Sequence, residues 1–244
     1  MDHVKNIAVF IPGRLYRNYA SIYKDKYTDT AKYDFSFLKL MKDFFNSHNI
    51  NVYFFASLSK DCDIPMITNE FINVMGMSNN ISNTEDQLNV EEVICPSIIY
   101  SFVKRPETNY ENTYKMFYHN YRCYQLINKY SKKHNIEFHV LMKWRTDISV
   151  HHCMKSFMEK TIEDFMQIKD NNNLYVPSHD LFWGISDQLA YGNYHCMKKY
   201  CNIVKNIITL CKRGVVYHPE TLLLQHCLGS NIIVNTFDLG YNLL

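Results

Sequence analysis

Glycine and proline are scarce in this sequence, at seven and six residues in a chain of 244. Neither G-x-G-x-x-G nor a Walker-type G-K-[ST] occurs, so no glycine-built dinucleotide or P-loop cradle is present. The eight cysteines, at 62, 95, 123, 153, 196, 201, 211 and 227, include no C-x-x-C pair, and most fall inside apolar or helical patterns. That pattern favours buried free thiols and a reducing compartment over a disulfide scaffold. Charge of one sign is lacking too: the net charge is +2 and no run of five or six like charges occurs, which makes nucleic acid a poor first partner. No apolar stretch approaches the roughly 18 residues that a spanning helix needs. The first residues, with Asp2, His3 and Lys5, lack a signal-peptide pattern, so the expectation is a soluble, cytoplasmic chain without a transmembrane segment.

What is present is ample apolar material. With 47% hydrophobic and 20% charged residues, the chain can bury the core of one large α/β domain. The most informative stretch is Ile136 to Asp147, I-E-F-H-V-L-M-K-W-R-T-D. Phe138 to Trp144 reads as a strand buried in a parallel sheet, a short run of β-forming residues bounded by polar ones. Arg145 and Asp147 then stand at its carboxyl end, where open α/β sheets bind ligands, and a cation beside a carboxylate suits an anionic, metal-bound ligand. A surface ion pair closing the strand explains the same triplet equally well.

Other elements follow from periodicity. Lys5 to Pro12 predicts a first strand that enters a loop at Gly13, where glycine permits close approach of a ligand. Arg14 and Arg17 in that loop are either phosphate-holding guanidinium groups or solvated charges. Helical spacing over Tyr33 to Asn46 and the run Val52 to Ala56 complete a β-α-β unit with parallel strands. Ser57 to Asn89 is polar, with one helix around Ile67 to Met75, and Val93 to Tyr100 is expected to return to the sheet edge. Tyr110, Tyr114, Phe117, Tyr121 and Tyr124 line one face of a long helix over Asn109 to Lys133, as core packing. Phe157 to Ile168 is amphipathic and Leu174 to Pro177 is a short strand. Met197 to Leu210 is helical, and Pro219 opens a last helix with His218 at its entrance.

Two further groups carry candidate chemistry. Gly184 and Gly192 flank Asp187 and Gln188, which either lets the backbone crowd a ligand or leaves Asp187 as the cap of the next helix. His218, Glu220 and His226 surround the last helix, and a helix cap with a satisfied core histidine explains them as well as ligand contacts do.

Three segments in fixed order, Arg145-Thr146-Asp147, Asp187-Gln188-Leu189-Ala190-Tyr191-Gly192 and His218-Pro219-Glu220 leading into Leu223, carry a resemblance. With the opening strand and Gly13, they resemble a family of nucleotide-sugar glycosyltransferases of large DNA viruses, bacteria and plants, whose motifs read R-x-R-x-D, D-Q-[FL]-A-x-G and P-E-x-x-L. The resemblance covers most of the chain except about 57–100. It implies a single GT-A-type domain, a mixed but mainly parallel sheet flanked by helices, with a nucleotide-binding half over about 1–147 and an acceptor and sugar half over about 148–244. If the source is viral, the place of action is the host cytoplasm. One departure stands out. GT-A enzymes usually carry D-x-D at the metal, and here Arg145 occupies the first acidic position.

The resemblance therefore implies transfer of a sugar from a UDP- or GDP-sugar to a glycan or other hydroxyl acceptor. Asp147, with His226 as a further candidate ligand, would hold Mn²⁺ or Mg²⁺ at the diphosphate. Without metal, Arg145, Arg14 and Arg17 must neutralise the leaving group directly. Asp187 is the candidate catalytic carboxylate, orienting the sugar or deprotonating the acceptor. Gly13, Arg14, Arg17, Arg145, Gln188, His218 and Glu220 are the candidate donor contacts. The alternatives are a catalytically inactive nucleotide- or glycan-binding protein on the same fold, or another nucleotide-dependent α/β enzyme.

Overall fold

Side chains alternate across a strand, and here that alternation sorts the apolar residues into two cores on opposite faces of one sheet. In the first strand, Ile7, Val9 and Ile11 join one core while Ala8 and Phe10 join the other. The computed structural model describes residues 6–13, 36–59, 86–145, 148–149, 154–168, 172–178, 183–239 and 242–243. Arg14, Arg17, Asp147, Cys62, Cys153 and the helix expected around Ile67 to Met75 lie outside the described residues.

Strand β1 (Asn6–Gly13) is followed by α1 (Ser36–Ser47), β2 (Asn51–Ser59) and β3 (Leu88–Glu91). A 3-10 helix over Ser97–Ser101 leads to α2 (Tyr110–His134), β4 (Val140–Trp144), β5 (Ile148–Ser149), α3 (Met154–Gln167), β6 (Asn173–Pro177) and β7 (Leu189–Asn193). Next come α4 (Tyr194–Cys201), a 3-10 turn over Asn202–Lys205, α5 (Ile207–Lys212), α6 (Pro219–Gly229), β8 (Ile233–Phe237) and β9 (Asn242–Leu243). The seven-stranded sheet has the order β3-β2-β1-β4-β7-β6-β8. All its pairings are parallel except those of β7, which runs antiparallel between β4 and β6. This is the expected α/β architecture, a mixed and mainly parallel sheet flanked by helices. The expected parallel pairing of the first two strands holds, with Ile7 opposite Val52 and Phe10 opposite Phe55.

The helices divide between the faces. Leu38, Met41 and Phe45 of α1 and Phe157, Met158 and Phe165 of α3 pack with Trp144 on one side. On the other, Phe117, Cys123 and Ile127 of α2 pack with residues of α4, α5 and α6. Four aromatics of the α2 stripe are core packing, Phe117 and Tyr124 buried and Tyr110 and Tyr114 against the same cluster, while Tyr121 is half-buried outside it with the Lys205 ammonium 4.4 Å from its ring centre. Asn109 caps this helix by accepting a bond from the Asn112 amide at 3.0 Å, and Asn135 ends it in the left-handed conformation. Cys95, Cys123, Cys196, Cys201, Cys211 and Cys227 are free thiols.

Several expectations are corrected. The edge strand is Leu88–Glu91, not Val93 to Tyr100; Pro96 removes an amide there and instead opens the 3-10 helix. Strand β2 continues through Ser57 to Ser59, both serines being buried with it. Leu189–Asn193 is a strand that periodicity does not reveal, because five residues are too few to show a period. The helix predicted over Met197 to Leu210 is broken at Asn202 and Asn206, residues that compete for backbone partners; Asn202 Nδ2 donates to the Lys198 carbonyl.

Tyr191 of β7 is buried on the α3 side and donates to Asp164 Oδ2 at 2.6 Å, while Lys160 holds the other carboxylate oxygen at 2.7 Å. Burial first, and then Asp164, push the phenol far above its ordinary range, so it remains a donor at every working pH. Tyr191→Phe leaves Asp164 short of a buried donor and should cost about 1–3 kcal/mol. Urea unfolding should show a lower midpoint at unchanged slope, and an unchanged midpoint would mean the pair contributes nothing.

Candidate active site at the carboxyl ends of the central strands

Strand register builds this site. Trp144 pairs with Leu189 in the antiparallel β4–β7 ladder, so the residues after β4 and those before β7 leave the sheet side by side. Arg145 is thereby brought to Asp187, with Nη1 3.7 Å from Oδ1. Lys143, two residues earlier on the chain, shares the α2-facing side with Leu141 and donates to the Asp187 carbonyl oxygen. It is fully buried. Gly13 closes β1 at the same end of the sheet with φ of 90°, a conformation that glycine adopts without strain; a Cβ there would meet nothing within 4 Å.

A second junction adds the last helix. A Cβ on Gly184 would lie 2.1 Å from the carbonyl carbon and oxygen of Glu220, and the Ile185 amide donates to that oxygen at 3.3 Å. The chain before β7 is therefore seated directly on the first turn of α6. Glycine here admits protein backbone, not a ligand, and so does Gly192, whose Cβ would approach the Asn173 carbonyl at 2.9 Å. Just before this seat, Trp183 is 83% exposed and has φ of 67°, a strained value for a bulky residue.

Pro219 occupies the first turn of α6 and His218 stands at its N-cap, as expected. His218 Nδ1 lies 2.9 Å from Glu220 Oε2, and its Nε2 lies 3.6 Å from Oε1 of Glu107. Burial, reinforced by the charge of Asp187, pushes the Glu220 carboxyl up to about 7, with Arg145 and Lys143 pulling weakly the other way. Burial and then Arg105 hold His218 below the ordinary imidazole value, against Glu107 and Asp187. Tyr200 of α4 is fully buried, its hydroxyl has no hydrogen-bond partner among the described residues, and burial followed by the Asp187 charge raises its pKa.

The structure thus brings together Arg145, Asp187, His218 and Glu220, and Gln188 follows Asp187 in the chain as a buried residue. Asp187 caps no helix, because Asn193 takes that role for α4 by accepting from the Cys196 amide at 2.7 Å. His226 is not part of the group. Its Nε2 faces the Lys199 carbonyl at 2.8 Å and its Nδ1 faces Asn206 at 3.2 Å, so both ring nitrogens are engaged in the core. Among the described residues no group of three or more His, Cys, Asp or Glu side chains is placed to hold a metal ion. The described residues therefore do not fit a metal by themselves. Lys143, Tyr200 and Glu107 are additions that sequence reasoning missed. Lys143 alone carried a signal, as a charge in the middle of V-L-M-K-W.

No protein-family model and no curated protein matches this sequence. Among solved structures it is similar to a protein from Desulfovibrio desulfuricans G20 described as a nucleotide-diphospho-sugar transferase, at 8% identity and a TM-score of 0.48, over 96% of this chain and 80% of that one. Mouse xyloside xylosyltransferase 1 matches at 8% identity and 0.47, over 96% and 85%. The inositol-1-phosphate CTP transferase of T. maritima matches at 11% and 0.45, over 100% and 91%. Likeness at this level assigns no residue a role, and the chemistry of the site has to be argued from its own side chains.

Two outcomes are expected. Gly184→Ala forces a methyl group into the α6 backbone and should cost about 3 kcal/mol, the upper part of the overpacking range, read as a fall in the urea midpoint. Glu220 titrates from 4.5 in the unfolded chain to about 7 in the fold. The folded state therefore holds a proton that the unfolded state has released, and the stability this gives is full below 4.5 and lost as pH rises through 7. His218 and His226 work oppositely, losing stability as pH falls below 6.5. The difference between wild type and Glu220→Gln isolates the carboxyl: the advantage of the variant in melting temperature should grow as pH rises from 4.5 to about 7 and level off above that. Parallel melting curves across that range would show that Glu220 ionises freely.

Proposed function

We propose that this chain is a nucleotide-sugar-dependent glycosyltransferase of the GT-A type, moving a sugar from a UDP- or GDP-sugar to a hydroxyl of a glycan or other acceptor. The observation that carries the reading is the convergence of two cations, Lys143 and Arg145, with two buried carboxylates, Asp187 and Glu220, at the carboxyl ends of the central strands. Glycosyl transfer asks for that combination. As the bond from the anomeric carbon to the diphosphate breaks, positive charge grows on the sugar and negative charge on the leaving group.

In this reading the 1–147 half binds the nucleotide, with the backbone at Gly13 close to it and Arg14 and Arg17 on its phosphates. Arg145 lies between the diphosphate and Asp187 and receives the leaving charge. Asp187 and Gln188 orient the sugar, while His218 and Glu220 face the acceptor from the 148–244 half. A divalent ion bound through Asp147 would add a Lewis acid at the diphosphate, but that assignment rests on the resemblance alone and His226 has no part in it. Steric exclusion of water is left to the substrates and to the buried setting of the carboxylates.

The test is binding and turnover of donors. UDP or GDP at about 100 times its Kd should add about 2.7 kcal/mol of stability, read as a rise in melting temperature. A panel of UDP- and GDP-hexoses should contain one that the protein hydrolyses slowly or transfers. Asp187→Asn should keep nucleotide binding while turnover falls on the order of 10²-fold. A protein stabilised by glycans but indifferent to every nucleotide is a binding module, and the proposal then fails.

A further inference from the structure

The two carboxylates of the site are not equivalent. Asp187 has the Arg145 guanidinium against it at 3.7 Å and the Lys143 ammonium on its carbonyl oxygen. Glu220 feels both cations but has neither in ion-pair contact: among the described residues its one ion-pair contact is His218, at 2.9 Å. The seat of Gly184 on the Glu220 backbone fixes its position relative to Asp187, so the asymmetry is built into the fold. Oε2 of Glu220 is buried without a hydrogen-bond partner among the described residues, so its contact with His218 is one of charge and not a hydrogen bond. His218 presents Nδ1 to Glu220 and Nε2 to Glu107, whose side chain is 59% exposed.

We infer that Glu220 is the group that takes the proton of the attacking hydroxyl. The assignment rests on the glycosyl-transfer reading and deepens it. A general base must release and regain a proton at the working pH. Glu220 is faced by His218 at the entrance of its own helix, by Asp187 from the chain before β7, and by Lys143 and Arg145 from β4 and its end; Arg105 and Glu107 act on His218. Burial beside Asp187 outweighs the two cations and places its titration near neutrality.

The step balances as a single displacement. The acceptor oxygen bonds to the anomeric carbon as its proton passes to the Glu220 carboxylate. The bond from that carbon to the diphosphate oxygen breaks, and its electron pair leaves with the diphosphate toward Arg145. Glu220 is then neutral and returns to the carboxylate form by releasing its proton to water once the product leaves. Attack from the face opposite the leaving group inverts the anomeric centre, so the assignment also fixes the stereochemistry.

Water serves as the test acceptor, which removes the need to know the natural one. Wild-type protein is assayed for hydrolysis of UDP- and GDP-hexoses, with the anomer first released read by NMR before mutarotation, and nucleotide affinity is measured by calorimetry. The expected result is an inverted sugar, and a kcat/KM that falls as pH drops below about 7. Glu220→Gln should bind UDP or GDP as wild type does, lose on the order of 10²- to 10⁴-fold in turnover, and show no acid limb in what remains. Asp187→Asn should keep the acid limb. His218→Gln should shift the limb while leaving nucleotide binding alone, whereas a merely structural role would lower melting temperature and nucleotide affinity together. Wild-type turnover in Glu220→Gln, or a sugar released with its configuration retained, overturns the assignment of Glu220 alone. Absence of turnover with every donor, together with indifference to UDP and GDP, overturns the glycosyltransferase reading and this assignment with it.

Discussion

A buried ammonium is the constraint on which the candidate site depends. Lys143 lies in the middle of the sheet, fully buried on the face covered by α2, α4 and α6. Taking a charge out of water costs several kcal/mol even after relaxation. That cost is tolerable only where the surroundings supply oxygens, and the chain before β7 supplies the Asp187 carbonyl. The Asp187 carboxylate, 3.7 Å from Arg145, adds negative charge beside it. Lys143 also lies close enough to Cys123 and Cys201 to act on their thiols.

The sheet keeps its chemistry on one side. On the α1 and α3 face, Ile7, Val9, Ile11, Met142 and Trp144 form a continuous apolar layer, relieved mainly by the Tyr191, Asp164 and Lys160 chain near its margin. The opposite face is apolar toward the amino ends of the strands, where Tyr130, Phe55 and Phe138 meet edge to face. Toward the carboxyl ends it turns polar: His119 of α2 meets Ser57 of β2 at 2.9 Å, and the buried Asn120 amide has no hydrogen-bond partner among the described residues. The polar end of this face is where the two cations and two carboxylates gather. One face therefore holds the sheet together while the other is free to carry unfavourable charge, a division that lets stability and chemistry be separated in one domain.

Much of the fold was legible because it rests on periodicity. The first strand, α1, β2, the long α2 and β4 all show either a short apolar run or helical spacing with a cap, and each lies within a few residues of its expected span. Elements whose identity is decided by tertiary pairing were not legible. β3 has four residues and β7 five, too few to show a period, and β7 is a strand because β4 and β6 offer it edges. At the site, Asp187, Arg145, His218 and Glu220 stood out as charges beside glycine or proline at the ends of apolar runs. Their relation did not, since it depends on the Trp144–Leu189 register and on the Gly184 seat. The same glycines read from sequence as room for a ligand turn out to make room for backbone. His226 has the residue type of a metal ligand and the surroundings of a core histidine, and only its partners distinguish the two.

The reversed strand β7 also bears on how the molecule comes into being. During synthesis the chain emerges from its amino end, and β3, β2, β1 and β4 with α1 and α2 can assemble as a parallel layer before residue 189 exists. Until β7 arrives, one side of β4 is a buried-type strand with a row of unpaired amides and carbonyls, the kind of edge that recruits strands from other molecules. Its charged end, with Lys143 not yet covered by the Asp187 carbonyl, disfavours dry packing against a neighbouring copy at that place. The lysine that sets the geometry of the finished site thus also serves, in the half-made chain, as a guard on an open edge.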